Sequence, residues 1–384
     1  MNKKLGLTAL GATMALSLAA CGGSGAGSNS NDTADADTSD LLIGVSMPTQ
    51  TSERWIADGD AVESQLEDAG YQVDLQFAND DIPTQQQQID NMINNGADAL
   101  IIAAKDGTTL SSQLDAAAAA DIPVISYDRL ILENGNVDFY VSFDNYKVGV
   151  AQGTALLTQL GVLNADGSAG TVTGPLNIEL FAGSLDDNNA GFFFDGAMSV
   201  IQPKIDDGTL VVKSGQTSIE QVATQDWSQS NAQDRMDDLL TSAYNDGSRV
   251  DGVLSPYDGI SRGIITSLEG AGYGPTVNDA NPMAAITGQD AEIASVKLIN
   301  DEVQGSTIFK DTRTLATQAV KAAEAFLEGD TPEANDTTTY DNGVKVIPSY
   351  LLPVETVYKD DIKSALIDSG YWTEDEVAKG QAED

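Results

Sequence analysis

Arg54-Trp55, Asp128-Arg129, Asp187 with Asn189, Tyr257-Asp258, Gln289-Asp290 and Lys310 each follow a short apolar run. Planar carboxylate, amide and guanidinium groups can each hold two neighbouring hydroxyls in fixed geometry. An indole such as Trp55 or Trp227 offers a flat face to apolar C–H groups. Together these are the means of holding a neutral polyol ring, a pyranose above all. Arg and Lys beside Asp also let buried charges pair with one another, which limits their desolvation cost in a closed cleft. Each Asp after a strand also suits a helix N-cap, and for Asp187, Asp258 and Asp290 capping and ligand contact are compatible. Trp227 lies outside a clear loop register and suits core packing as well.

Composition removes most other chemistry. The 384 residues include no histidine, so imidazole bases, Ser-His-Asp and Cys-His nucleophiles and the common zinc and iron ligand sets are excluded. The one cysteine, Cys21, can form neither an intramolecular disulfide nor a thiolate cluster. With 19 basic and 59 acidic residues the net charge is −40, which repels phosphate backbones and anionic headgroups. Nucleic acid is therefore not an expected partner, and neither a cofactor nor a metal is expected. Asp35, Asp37 and Asp40 lack the glycine and distal glutamate of a calcium loop.

Met1 to Ala20 has the form of a secretory signal, with Lys3 and Lys4 before an uncharged stretch, Leu5 to Ala20, too short to span a bilayer. Leu18-Ala19-Ala20-Cys21 looks like a bacterial lipobox, which makes Cys21 the expected lipidated first residue of the mature chain, anchored to the outer face of the plasma membrane or the periplasmic side. Residues 21–40 form the tether. Beyond Cys21 it is Gly, Ser, Asn, Asp and Thr with only three alanines, a composition expected to be disordered.

From Leu41 onward, apolar runs alternate with amphipathic stretches. Leu41–Met47, Val73–Phe77, Ala99–Ala103 and Val124–Ser126 read as strands, with helices over Arg54–Ala69 and Gln85–Asn95 between them. Gln85 to Gln88 reads as the wet side of its helix. A second series follows Val141–Phe143, with strands near Leu176–Phe181, Leu210–Lys213, Gly252–Leu254, Ala285–Thr287 and Thr307–Phe309. Its helices are expected over Tyr146–Leu160, Asn189–Ile201, Ser228–Tyr244, Gly259–Ala271, Ala291–Asn300 and Arg313–Leu327. Strands buried on both faces and joined by helices make parallel sheets, so the chain is α/β with two doubly wound lobes. Such sheets bind ligands beyond the carboxyl ends of their strands, where the residues named first fall. Glu179, inside a buried strand, must be paired or lie near the cleft.

Ile43-Gly44-Val45-Ser46-Met47-Pro48-Thr49, Glu53-Arg54-Trp55, Ser126-Tyr127-Asp128-Arg129, Asn177-Ile178-Glu179-Leu180-Phe181 and Asp186-Asp187-Asn188-Asn189 continue in Leu254-Ser255-Pro256-Tyr257-Asp258-Gly259, Gly288-Gln289-Asp290-Ala291 and Ile308-Phe309-Lys310-Asp311-Thr312-Arg313. This ordered series resembles the sugar-binding proteins of bacterial ABC importers, type 1 periplasmic binding proteins, in the branch that includes xylose-binding proteins and the multiple-sugar receptor ChvE. The resemblance spans roughly Leu41 to Leu366. It implies two lobes joined by a three-segment hinge, closing on one monosaccharide and docking on a permease. It places residues 41–142 and about 311–338 in the N-terminal lobe, and about 143–310 and 339–384 in the C-terminal lobe. It also implies that Arg54, Trp55, Asp128 and Arg129 touch the sugar from the first lobe, Asp187, Asn189, Trp227, Asp258 and Asp290 from the second, and Lys310 at a hinge. Tyr257 stands where xylose-type relatives carry Asn, which favours a broader aldose receptor.

The resemblance implies a monomer that captures an aldose such as xylose, glucose, galactose or arabinose for an ABC permease, or a sensing receptor using the same site. A glycosidase built on paired carboxylates such as Asp128 and Asp290 is the enzymatic alternative, but no aldose-isomerase histidine and no Gly-rich phosphate loop is present.

Overall fold

The computed structural model describes residues 38–277 and 280–382. The signal segment, Cys21 and the tether as far as residue 37 lie outside them. The tether's last three residues, Thr38–Asp40, are not open coil but one 3-10 turn, held where Gln72 Nε2 donates to Ser39 O at 2.6 Å.

In the first lobe β1 (Leu42–Met47), α1 (Glu53–Asp68), β2 (Gln72–Phe77), α2 (Ile82–Asn94), β3 (Ala99–Ile102), α3 (Ser111–Ala119), β4 (Val124–Tyr127) and β5 (Phe139–Phe143) alternate as the apolar runs require. In β3, Ala99 and Ile101 face one core while Leu100 and Ile102 face another. A strand apolar on both sides needs cover on both, and α1 packs over one face while α2 and α3 pack over the other. The helix α3 is absent from the sequence-based reading because Ala116 to Ala120 gives no apolar period to detect.

The second lobe holds α4 (Asn145–Gln159), β6 (Leu176–Leu180), α5 (Asn189–Asp206), β7 (Leu210–Val212), α6 (Ile219–Val222), α7 (Gln229–Ser242), β8 (Gly252–Leu254), α8 (Asp258–Gly270), β9 (Ala285–Ile286), α9 (Ile293–Asn300) and β10 (Thr307–Phe309). The chain then returns through α10 (Thr312–Leu327), β11 (Ser349–Leu352), β12 (Glu355–Val357) and α11 (Glu374–Lys379). The first sheet runs β11-β5-β4-β3-β1-β2 and the second β7-β6-β8-β9, every pair parallel. β10 and β12 form a separate antiparallel pair.

The structure differs from the sequence reading at three points. β11 pairs with β5, so the returning segment stays in the first lobe to Leu352 instead of leaving it near residue 338. The last crossing lies between Leu352 and Glu355, where β12 joins β10. Gln85 is buried, not wet: its amide donates to Ala103 O at 2.9 Å and Ser46 Oγ at 3.1 Å, and accepts from Lys105 N at 2.8 Å. A glutamine can close such a set because one amide both donates and accepts. Glu179 is paired, accepting from Tyr244 OH at 2.8 Å and from Ser214 Oγ and N at 2.6 and 3.1 Å.

The helices α4 and α5 touch backbone to backbone. A Cβ at Gly149 would stand 2.0 Å from Phe193 O, and one at Gly196 2.1 Å from Tyr146 O. This approach sets the two helix starts together, so that Asn145 Nδ2 donates to Asn189 Oδ1 at 2.8 Å. Gly149→Val should lower unfolding free energy by about 1–3 kcal/mol or more through overpacking, read from urea denaturation midpoints. An unchanged midpoint would show that the helices have room to part.

Candidate functional site

Between the lobes lies a cleft of about 640 Å³, within the range of small-molecule sites. It is reached by the carboxyl ends of strands from both sheets, with β1 and β6 each flanked by strands on either side, the topological switch point of an open parallel sheet. Arg54, Trp55, Asp128, Arg129, Asp187, Asn189, Trp227, Asp290 and Lys310 all line it.

The charged groups form one network across the lobes. Arg54 binds Asp58 through Nε and Nη2 at 2.8 and 2.6 Å and Asp128 through Nη1 at 3.1 Å. Lys310 Nζ stands 3.0 Å from Asp290 Oδ1 and 3.8 Å from Asp128 Oδ2, while Arg129 Nε is 3.1 Å from Asp187 Oδ2. Arg129 Nη1 also donates to Ala104 O and Lys105 O at 3.3 and 3.2 Å. Asn189 Nδ2 donates to Asp128 O at 2.8 Å, which ties the start of α5 to the first lobe. Burial by itself would raise the Asp128 carboxyl, but Arg54, Lys310 and Arg129 together hold it below the usual carboxylate range. Burial raises Asp187, and its single cation, Arg129, only partly opposes this.

Apolar surface complements the charges. Both guanidinium groups lie near the Trp55 ring, Arg54 at 4.2 Å and Arg129 at 5.1 Å. Trp227 meets Phe193 and Tyr257 edge-on, with centroids 6.2 and 6.1 Å apart. Its indole rests on Gly183, where a Cβ would come within 2.1 Å of the ring. Asp128, Asp226, Trp227 and Asp290 adopt positive φ of 57°, 56°, 54° and 89°, a cost that a bulky residue such as Trp227 bears only where its surroundings fix it. Arg129 Nε, Asp290 Oδ1 and Trp227 Nε1 are buried with no aligned hydrogen-bond partner. These atoms are suited to a polar ligand.

Asp258 is the expected site residue that does not reach the cleft. Its carboxylate is taken up inside the second lobe, accepting from Glu292 N at 3.0 Å, Gln304 Nε2 at 2.8 Å and Thr307 Oγ1 at 3.1 Å. Both oxygens are engaged, and burial pushes its pKa well above the carboxylate range. Phe193 and Arg262 line the cleft without having been singled out in the sequence. Phe193 falls within the helix reading Asn189–Ile201 and its spacing marks it only as core. Arg262 sits on α8 as one polar residue among many, and only the fold brings its Nη2 to Glu292 Oε2 at 2.7 Å. Among the described residues no group of His, Cys, Asp or Glu is placed to hold a metal ion.

A family model, the periplasmic binding protein domain, matches residues 43–331. The chain belongs to the periplasmic binding protein family. It is 53% identical over 335 residues to the multiple sugar-binding periplasmic receptor ChvE of Rhizobium radiobacter, covering 87% of this chain and 92% of that one. The D-xylose-binding periplasmic protein of Escherichia coli K12 is 34% identical, over 89% of this chain and 94% of its own. Among solved structures, an ABC transporter solute binding protein from Clostridium phytofermentans with bound β-D-glucose superposes with a TM-score of 0.81 at 46% identity, covering 88% of this chain and 99% of that one.

In this periplasmic binding protein Asp58 anchors Arg54 from below the cleft, with Tyr127 OH donating to its other oxygen at 2.5 Å. Burial, only partly offset by Arg54, pushes its pKa up to about 6. As pH rises past the ordinary carboxylate value near 4, the unfolded chain ionises at this residue first, so stability is lost until the folded group ionises as well. The unfolding free energy of the wild type minus that of Asp58→Asn should therefore fall between about pH 4 and about pH 6 and level off above, as measured by urea denaturation across pH. A difference that rises over that window would reverse the sign assigned to this carboxyl.

Proposed function

We propose that this periplasmic binding protein captures one neutral monosaccharide, an aldose such as xylose, glucose, galactose or arabinose, and delivers it to an ABC-type sugar permease. The observation that carries this reading is the cross-lobe set of Arg54, Asp128, Arg129, Asp187, Asp290 and Lys310, whose charges pair with one another beside Trp55, Trp227 and Phe193. A cleft whose charges are already matched gains little from a charged ligand, while its fixed planar groups suit hydroxyls. The sugar-binding relatives support the same reading.

The three crossings, after Phe143, at Lys310–Asp311 and between Leu352 and Glu355, act as the hinge. The protein works outside the cytoplasm as a monomer, held to the membrane by lipid on Cys21. The sugar leaves unaltered: Asp128, kept ionised by three cations, is unfit to serve as a general acid. A receptor role, reporting bound sugar to a signalling partner, uses the same pocket and is favoured by the receptor among its relatives.

A thermal-shift and calorimetry panel of xylose, glucose, galactose, arabinose, ribose and fructose tests the reading. At least one aldose should bind with a dissociation constant of about micromolar or tighter, roughly −8 kcal/mol; no response to any of them would dismiss sugar capture. Arg129→Ala leaves Asp187 buried without its cation and should weaken binding by several kcal/mol in order of magnitude. Asp258→Asn, by contrast, should leave affinity within about threefold while lowering the melting temperature, since its bonds lie within one lobe. If Asp258→Asn abolished binding with stability intact, that carboxylate would belong to the sugar site after all.

A further inference from the structure

Lys105 does not line the cleft, yet it is the one residue through which the first lobe grips two separate loops of the second among the described ion pairs. It follows β3. Its N–H donates to Gln85 Oε1 at 2.8 Å and its carbonyl accepts from Arg129 Nη1 at 3.2 Å, so its backbone is fixed to the first lobe. Its ammonium, 7% exposed, reaches across to Asp186 Oδ2 at 2.5 Å and Asp226 Oδ1 at 2.9 Å. Asp186 immediately precedes Asp187, which lines the cleft, while Asp226 lines the cleft itself and precedes Trp227. Asp226 and Trp227 both hold positive φ, and Asp226 N donates to Ser184 Oγ at 2.9 Å. One cation thus pins the two loops that present an acid and an indole to the ligand.

We propose that Lys105 is a positioning residue that sets the lifetime of the closed, loaded state, by clasping the Asp186 and Asp226 loops from the opposite lobe without touching the sugar. The inference rests on the sugar-capture reading. Exposed ion pairs contribute little, and Asp226 is 45% exposed, but the Lys105 side chain is 7% exposed, has two acceptors, and both of its bonds run from one lobe to the other. A contact made on closure slows escape more than it speeds entry. Because it reads no hydroxyl, it should lengthen the stay of every bound sugar alike.

Stopped-flow intrinsic fluorescence, using the tryptophans of the cleft, separates the two rates for each sugar that the wild type binds. Lys105→Met should raise the dissociation rate about tenfold or more, change the association rate by less than about threefold, and leave the order of sugar preference intact. Asp186→Asn, a residue outside the lining of the cleft, loosens the clasp from the other side and should raise the dissociation rate in the same direction as Lys105→Met, with no further loss when the two changes are combined. It also carries the test should Lys105→Met fail to fold. An unchanged dissociation rate, a loss confined to association, or an altered order of preference overturns the role of Lys105 alone. A wild type that binds none of the sugars overturns the sugar reading, and this role with it.

Discussion

Charges drawn out of water into a protein must be shared, because a lone buried ion costs far more than its contacts return. In this cleft Arg54, Arg129 and Lys310 face Asp58, Asp128, Asp187 and Asp290, and the second lobe, with Lys310 alone for Asp187 and Asp290, is short of a cation that only the first can lend. Arg129 of the first lobe needs Asp187 of the second, and Asp128 needs Lys310 as well as Arg54. Closure is therefore the step at which the electrostatics of the site is completed. The architecture follows from that demand: two sheets whose carboxyl edges face each other, and three chain crossings that permit them to meet.

The rest of the fold supplies rigidity where the network needs it. The backbone contact at Gly149 and Gly196 fixes α4 against α5, and the joined ends of these helices place Asn189 on Asp128 O. Gly183 leaves room for the Trp227 ring, and the left-handed backbone at Asp226 and Trp227 turns that ring inward. Asp258 shows the opposite use of a carboxylate, gathering Glu292, Gln304 and Thr307 so that the loops after β8 and β9 move as one piece. Glu292 in turn accepts from Tyr257 OH at 2.6 Å and from Ser52 Oγ of the first lobe at 2.9 Å. The wall of the cleft thus extends into the body of each lobe through hydrogen bonds, with few positions free to drift.

Much of this was legible in the sequence, for a physical reason. Runs such as Ala99–Ile102, apolar on both faces, announce a parallel sheet, and a parallel sheet announces where its ligand edge must be. Loop residues after those strands could be nominated without coordinates, and all but Asp258 reach the cleft. Direction was not legible: Asp258 and Asp290 both follow strands, and only backbone geometry, φ 89° at Asp290, aims one outward while hydrogen bonds draw the other inward. The wet reading of Gln85 failed because helical periodicity counts apolar residues and overlooks an amide that satisfies buried backbone groups. β11 was missed because a strand that returns after a long excursion is marked by its partner β5, not by local pattern.

The charge balance of the interior stands against a net charge of −40 over the whole chain. Nearly all of that excess must therefore sit on the outside, where water and salt screen it, while the cleft keeps acids and bases close to parity. Such a division has a consequence for selectivity. A ligand bearing net charge would have to unbalance pairs that the lobes have already made, whereas a neutral ring can exchange its hydroxyl–water bonds for bonds to groups that stay paired. Discrimination against ions thus arises from the protein's own pairing, and discrimination among neutral rings is left to the orientation of individual oxygens and donors such as Asp290 Oδ1 and Arg129 Nε. The two tasks fall on different features of one network, so a change in which sugar is preferred need not disturb the machinery that closes the lobes.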